Sequence, residues 1–224
     1  MEKINIEYFG EKFNQLQTLD PGNFISAIRK EGFNTFNKNG LPTYKNEEWK
    51  YTSISDLFKK EYHLSEDGIN TQISKSDIDE IRLPGNENAS ELVFINGKYS
   101  ASLSTIRSKE DELIILSLED AANGKYKDIV NQHLGKSNLF FKDGIHALNT
   151  SFIYGGVFIY AVKGQIIRNP VYLYHFSDAR ENHILSQPRS LIYIDESAKL
   201  QLVETYKTTG SMDSFTNEVM EIVV

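Results

Sequence analysis

The 224-residue chain has no cysteine. Thiolate metal sites, cysteine nucleophiles and disulfides are thereby excluded, and a secreted disulfide scaffold with them. Positive charge is short as well: 24 Lys and Arg face 31 Asp and Glu, for a formal net charge of −7. That balance argues against a protein whose main work is gripping phosphate backbones. No run of about 18 apolar residues exists to span a membrane. Met1-Glu2-Lys3-Ile4-Asn5-Ile6-Glu7 lacks the basic-then-apolar order of a secretion signal. Neither G-x-G-x-x-G nor a Walker pattern occurs, which excludes a P-loop ATPase. A soluble cytoplasmic protein is the expectation. Its 40% hydrophobic share supports a real core, and the length suits one large or two small domains.

Charge and pattern divide the chain near residue 136. Residues 1–130 hold 16 basic and 22 acidic residues (16 − 22 = −6), and residues 131–224 hold 8 and 9 (8 − 9 = −1). The first part carries helical punctuation. Asp20-Pro21 reads as an N-cap with proline at the first helical position. Phe24, Ile25, Ile28, Phe33 and Phe36 then recur at helical spacing up to a stop at Gly40. Tyr8, Phe9, Phe13 and Leu16 predict a shorter helix before it, and Ile54–Phe58 a short helical piece after it. Leu92–Ile95 is a β run, Asn96-Gly97 a strong hairpin signal, and Tyr99–Leu103 a return strand. After a β run at Leu113–Leu116, Ser117-Leu118-Glu119-Asp120 opens a helix predicted to reach Leu134, with Gly124 weakening its middle.

The second part is a succession of β runs: Val157–Val162, Val171–Phe176, Ser190–Asp195, Leu200–Tyr206 and Glu218–Val224. No long amphipathic helix separates them, so a βαβ sheet is not expected. Their starts fit no single short repeat, which leaves sandwich, barrel and β-solenoid open.

Residues that could carry chemistry all have plainer readings. Gly155-Gly156 and Gly164 sit at strand edges as turn residues. The five histidines, His63, His133, His146, His175 and His183, form no H-x-x-x-H pair, which excludes a zincin. His175 and His183 flank a turn containing Asp178 and Glu181. A His/carboxylate metal site could be assembled there, although a polar solvated loop explains the same residues. Glu47-Glu48 and Asp195-Glu196 are adjacent and their side chains diverge, so they read as exposed turn residues. Phe158, Tyr160, Tyr172, Tyr174 and Tyr193 alternate along their strands. They could line a sugar-binding face, or simply pack against neighbouring strands.

The order of three segments is more specific. Gly40-Leu41-Pro42-Thr43 with Glu47-Glu48-Trp49-Lys50-Tyr51-Thr52 resembles the G-x-P-x(4,5)-E-x-W-K-Y-T signature of the SufD branch of the SufB/SufD family of iron–sulfur cluster assembly proteins. Ala147-Leu148-Asn149-Thr150-Ser151-Phe152, followed by Gly156–Ile159 and Val162-Lys163-Gly164, looks like the family's "LNTAF…G-x-F-I-x-V-P-K-G" approach to its β domain, with Ala161-Val162 where Val-Pro is frequent. Pro188-Arg189-Ser190-Leu191-Ile192 through Ala198-Lys199-Leu200 to Val203-Glu204-Thr205-Tyr206 resembles "P-R-x-L-I…G-A-x-L-x-L-x-E-x-Y", with Ser197 in place of glycine. Asn217 and Val219 continue it.

The resemblance covers nearly the whole chain and implies an α+β, mainly β fold. A largely helical N-terminal domain (1–136) would precede the first part of a right-handed parallel β-helix (137–224). It implies a non-catalytic scaffold or accessory subunit of cluster assembly, working in the cytoplasm with SufB-like and SufC-like partners. The iron–sulfur cluster and ATP would be handled by the wider complex, without nucleic acid or membrane, and self-association is left open. It also implies that the chain is about half of a family member, an N-terminal piece ending inside a β run. The family's candidate metal-ligand histidine, the strands joining the paralogues and the SufC-docking helices would lie beyond Val224. No catalytic, cofactor-binding or metal residue is therefore carried over. Two other classes stay in view: a carbohydrate-active β protein needing two facing carboxylates, and a plain interaction module. Trp49-Lys50-Tyr51 is expected to pack the front helices onto the β region, a partner-binding Trp49 being the alternative.

Overall fold

The computed structural model of the chain describes residues 2–19, 22–54, 56–64 and 70–224, with residues 2–6 described by backbone alone. Helices α1 (Glu2–Thr18) and α2 (Phe24–Asn39) form the front. Asn23 caps α2: its side chain accepts from the Ser26 N–H, and the Ser26 hydroxyl accepts from the Asn23 N–H. This reciprocal pair satisfies two orphan donors of the first turn. The expected Asp20-Pro21 cap lies outside the described residues. Gly40 ends α2 as expected, at φ 63°, with its N–H donating to the Phe36 carbonyl. The apolar faces of α1 and α2 meet in a phenylalanine cluster in which Phe13 stacks on Phe33 at 4.1 Å and Phe9 meets Phe36 edge-on at 5.6 Å. The expected helical piece near Ile54–Phe58 is a 3-10 turn, Leu57–Lys59. A short α3 (Lys75–Asp79) follows.

Strands β1 (Ser90–Ile95) and β2 (Lys98–Thr105) form the expected hairpin. Asn96 and Gly97 take φ 52° and 87°, the left-handed pair that a two-residue type I′ turn requires. Strand β3 (Leu113–Ser117) leads into α4 (Leu118–Asn123), capped by the Ser117 side chain on the Asp120 N–H. The single helix expected over 117–134 is in fact two. Gly124 leaves helical angles (φ −108°, ψ −148°) and ends α4, and the chain restarts as α5 (Lys127–His133). There glycine's low helix propensity prevails over the apolar period. Ala147–Phe152, read as the approach to the β region, belongs largely to a helix, α6 (Gly144–Ser151), capped by Asp143 on the Ile145 and His146 N–H groups.

Seven strands follow: β4 (Val157–Ala161), β5 (Val171–Ala179), β6 (Ile184–Ser186), β7 (Arg189–Ile194), β8 (Leu202–Gly210), β9 (Ser214–Thr216) and β10 (Val219–Val223). They lie in sheets ordered β2-β1-β5-β8, β10-β7-β4-β3 and β6-β9. All contacts among β4–β10 are parallel; the antiparallel contacts are those of β1 with β2 and of β3 with β4. The chain visits the three sheets in turn and then returns to the first it visited. Paired positions are separated by 33 residues (157 to 190), 31 (171 to 202) and 30 (184 to 214, 189 to 219). The fold is α+β, with helices ahead of mixed sheets.

Alternation along the strands fixes two faces for each sheet. Leu92 and Phe94 (β1), Val157 and Ile159 (β4), Val171 and Leu173 (β5) and Ile192 (β7) meet between the four-stranded sheets. On the opposite faces, α2, α4 and α5 cover Phe158 and Leu191, and α3 covers Tyr172, Tyr174 and Phe176. The aromatic stripe therefore packs against helices. Tyr172 donates to the Pro84 carbonyl at 2.7 Å, Tyr174 accepts from the Leu83 N–H at 3.1 Å, and Tyr160 donates to Asp195 at 2.7 Å. No helix of the described residues is long and apolar enough to cross a membrane.

Candidate functional site

Two buried polar clusters distinguish themselves by how completely the protein satisfies them. The first surrounds Arg189, the opening residue of β7, which is wholly buried. Its guanidinium donates to Glu221 at 2.8 Å, to Ser137 at 3.1 Å and to Asn149 at 3.0 Å. Glu221 also accepts the backbone N–H groups of Gly135 and Ser137, both at 2.8 Å. Burial pushes the Glu221 carboxyl up, but Arg189 and those two donors outweigh it and hold the group below its ordinary value. Asn149, on α6, donates to the Pro188 and Asn217 carbonyls. Nearby His146 lies 2.9 Å from the Asn138 side chain, and burial lowers its pKa. Apart from the Arg189 Nε, the charge and hydrogen-bonding capacity of the Arg189–Glu221 pair are taken up by protein groups. The cluster fastens α6 to β7 and β10; it is built for cohesion.

The second cluster is not closed in this way. Phe94, His175 and Tyr206 are register partners on adjacent parallel strands β1, β5 and β8, so their side chains form a column on one face. The His175 ring is clamped between the other two, at 4.5 Å and 12° to Phe94 and 4.8 Å and 16° to Tyr206. Two residues before Tyr206, and so on the same face of β8, Glu204 brings a carboxylate oxygen 3.5 Å from His175 Nε2. Glu218, just before β10, brings another to 3.7 Å. The Tyr206 hydroxyl sits between the carboxylates, hydrogen-bonded to Glu218 and 3.3 Å from Glu204.

The electrostatics are lopsided. His175 is 5% exposed, and neither ring nitrogen has a hydrogen-bond partner among the described residues; nor does Glu218 Oε1. No Lys or Arg among the described residues pairs with either carboxylate; their ion-pair contact is His175. Burial raises the Glu218 carboxyl despite the imidazole and the Tyr206 hydroxyl. Burial would also raise Glu204, but the adjacent His175 imidazole, with Glu218 and the Tyr206 hydroxyl, holds it lower. Partial burial and then the Glu218 bond push the Tyr206 phenol up. One nitrogen and two carboxylate oxygens thus converge within 4.8 Å of one another. This arrangement can hold a cation or a proton.

The loop site read from the sequence does not form. Asp178 lies on the opposite face of β5 from His175, where it accepts from the Thr71 hydroxyl and the Gln72 N–H. Glu181 is exposed. His183 Nδ1 accepts from the Asp213 N–H at 3.0 Å. His175 alone carries over, and its partners come from 29 residues (175 to 204) and 43 residues (175 to 218) further along the chain. The available signal was Glu204, an acid in step with Leu200 and Leu202 on a β run. The Trp49-Lys50-Tyr51 expectation also narrows. Trp49 is half-buried against the phenylalanine cluster, whereas Lys50 is exposed and Tyr51 is 91% exposed.

Comparison with known proteins supports the resemblance at the level of the SufBD family. A family model described as the SufBD protein N-terminal region matches residues 2–173. The chain is 23% identical over 169 residues to the iron–sulfur cluster assembly SufBD family protein slr0076 of Synechocystis sp., covering 74% of this chain and 35% of that protein. It is 30% identical over 158 residues to the iron–sulfur cluster assembly protein SufB of Bacillus subtilis, covering 67% of this chain and 32% of that protein. The chain spans about a third of the length of these curated relatives. With the family model matched over most of its length, the chain belongs to the SufBD family.

Proposed function

We propose that this protein works in iron–sulfur cluster assembly as a SufD-type scaffold or accessory subunit, without catalysis of its own, in a cytoplasmic complex with SufB-like and SufC-like proteins. The observation that carries the reading is the family match over residues 2–173, together with two relatives named for cluster assembly. The SufD type, rather than SufB, rests on the Glu47–Thr52 motif. With no cysteine, the chain offers no thiolate to a cluster, so its contribution is architecture and handling of ions rather than thiolate ligation.

The parallel ladders support the accompanying fold reading. Each return of the chain advances by 30–33 residues (157 to 190, 171 to 202, 184 to 214). That is what the first windings of a right-handed parallel β-helix would show, and stacked windings present a long edge for a second β-helical subunit. Burial of Phe158, Tyr172 and Tyr174, with Tyr160 and Tyr193 only partly exposed, gives the carbohydrate reading little support.

The test is co-purification. The product of the complete gene, co-expressed with the SufB-like and SufC-like proteins of the same organism, should elute with both as one complex. Its elution as a free protein with neither partner bound would overturn the proposal.

A further inference from the structure

The geometry points to a mononuclear site for a divalent transition-metal ion formed by His175 Nε2, Glu204 and Glu218, with Tyr206 as a positioning residue. The inference stands on the cluster itself and does not depend on the assembly role. Its three residues lie beyond the span matched by the family model.

Four observations converge. First, the donors are already gathered: the imidazole nitrogen is 3.5 and 3.7 Å from the two carboxylate oxygens. Ligands about 2.1 Å from one ion stand roughly 3.0–3.4 Å apart, so the two nitrogen–oxygen separations exceed coordination spacing by a few tenths of an ångström, and all three donors lie within 4.8 Å of one another. Second, His175 is buried, aimed at both carboxylates and unpartnered at Nε2. An unpaired buried nitrogen is costly, and coordination removes that cost. Third, the carboxylates lack a Lys or Arg partner among the described residues, so a dication supplies the missing positive charge. Fourth, the ligands are preorganised. Stacking on Phe94 and Tyr206 fixes the ring plane, and the Tyr206 hydroxyl is hydrogen-bonded to Glu218 and stands 3.3 Å from Glu204. Nδ1 is left to carry the ring proton, with orientation enforced by stacking instead of by a hydrogen-bonded acceptor.

The donor set decides the class of ion. One imidazole with two carboxylates suits Fe2+, Mn2+, Co2+ or Zn2+, whereas Mg2+ and Ca2+ prefer oxygen alone. Three protein ligands leave positions for water or an exchanging ligand. Glu204, with 28% of its side chain exposed, and half-exposed Tyr206 form the side open to solvent. An ion can therefore enter and leave.

Titration of the purified metal-free protein with Co2+ and with Zn2+, read by calorimetry and by the visible cobalt spectrum, tests the site. One equivalent should bind, and Mg2+ in tenfold excess should not displace it. Glu204→Gln, a change at a partly exposed side chain, and His175→Gln should each weaken Co2+ binding by about tenfold or more and alter the cobalt spectrum. Tyr206→Phe should weaken it less while leaving that spectrum nearly intact. Circular dichroism verifies that each variant is folded. Absence of stoichiometric binding by the folded wild-type protein overturns the proposal. So does unchanged affinity in folded Glu204→Gln and Glu218→Gln proteins, which would place the ion elsewhere.

Discussion

Arg189 is wholly buried, and its charge is answered by Glu221 at 2.8 Å. Removing one partner of such a pair leaves an uncompensated buried charge, which costs about 3–5 kcal/mol. Arg189→Ala should therefore lower unfolding stability by roughly that amount in urea, while Arg189→Met with Glu221→Leu should be markedly milder. A double variant as unstable as the single would show that the cost lies in lost packing. The same neighbourhood sets a pH response. Burial lowers His146, so the unfolded chain takes up that proton first, and stability falls as pH drops below about 6.5. Glu221 is held below its ordinary value by Arg189 and two backbone donors. Its contribution is complete above the unfolded value of about 4.3 and is lost as pH falls through the folded one. Both act in the same direction. Thermal melts from pH 7.5 to 3.5 should fall in two stages, and His146→Asn should remove the upper one.

Elements succeed or fail by whether their ends are locally encoded. The α2 helix has its apolar period and its Gly40 stop, and the β1–β2 hairpin has Asn96-Gly97, whose left-handed angles are observed. Both are legible because the deciding residues are neighbours in sequence. Strands β6 and β9 are three residues each, too short for alternation to register. Their omission hides the period: starts at 157, 171 and 184 recur at 189, 202 and 214 only once all six strands are counted. The seating of α6 is likewise non-local. A Cβ at Gly144 would stand 1.5 Å from the Gly40 carbonyl oxygen, so the start of α6 abuts the end of α2 with no room for a side chain. Backbone cannot yield as a flexible side chain can. Gly144→Ala should thus destabilise by more than about 2 kcal/mol in chemical denaturation, although alanine favours helix. A neutral or stabilising effect would mean that this contact is loose.

Across the whole molecule, the front helices are joined to the β region through shared core. Phe9, Phe13 and Leu16 of α1 belong to one apolar cluster with Leu148 and Phe152, with Leu185 of β6, and with half-buried Phe215 of β9 and Trp49. Because Trp49 is only half-buried, Trp49→Ala should cost about 2 kcal/mol, less than the 3–5 kcal/mol of a fully buried aromatic. A single cooperative melt shifted downwards is expected, whereas an unchanged melting temperature would place Trp49 outside the fold's support. Composition and local pattern by themselves determined the absence of thiolate chemistry, the helical front, the hairpin and the run of strands, since these depend on residue type and spacing of a few positions. Ordered motifs added the family. Only the tertiary structure decided which strands pair and which polar residues meet. Asp178, near His175 in sequence, is turned away by the alternation of β5, while Glu204 and Glu218 are carried to it by the chain's return. Proximity across a sheet depends on register between distant segments, which the patterns of both segments and the chain between them set together and neither segment sets alone.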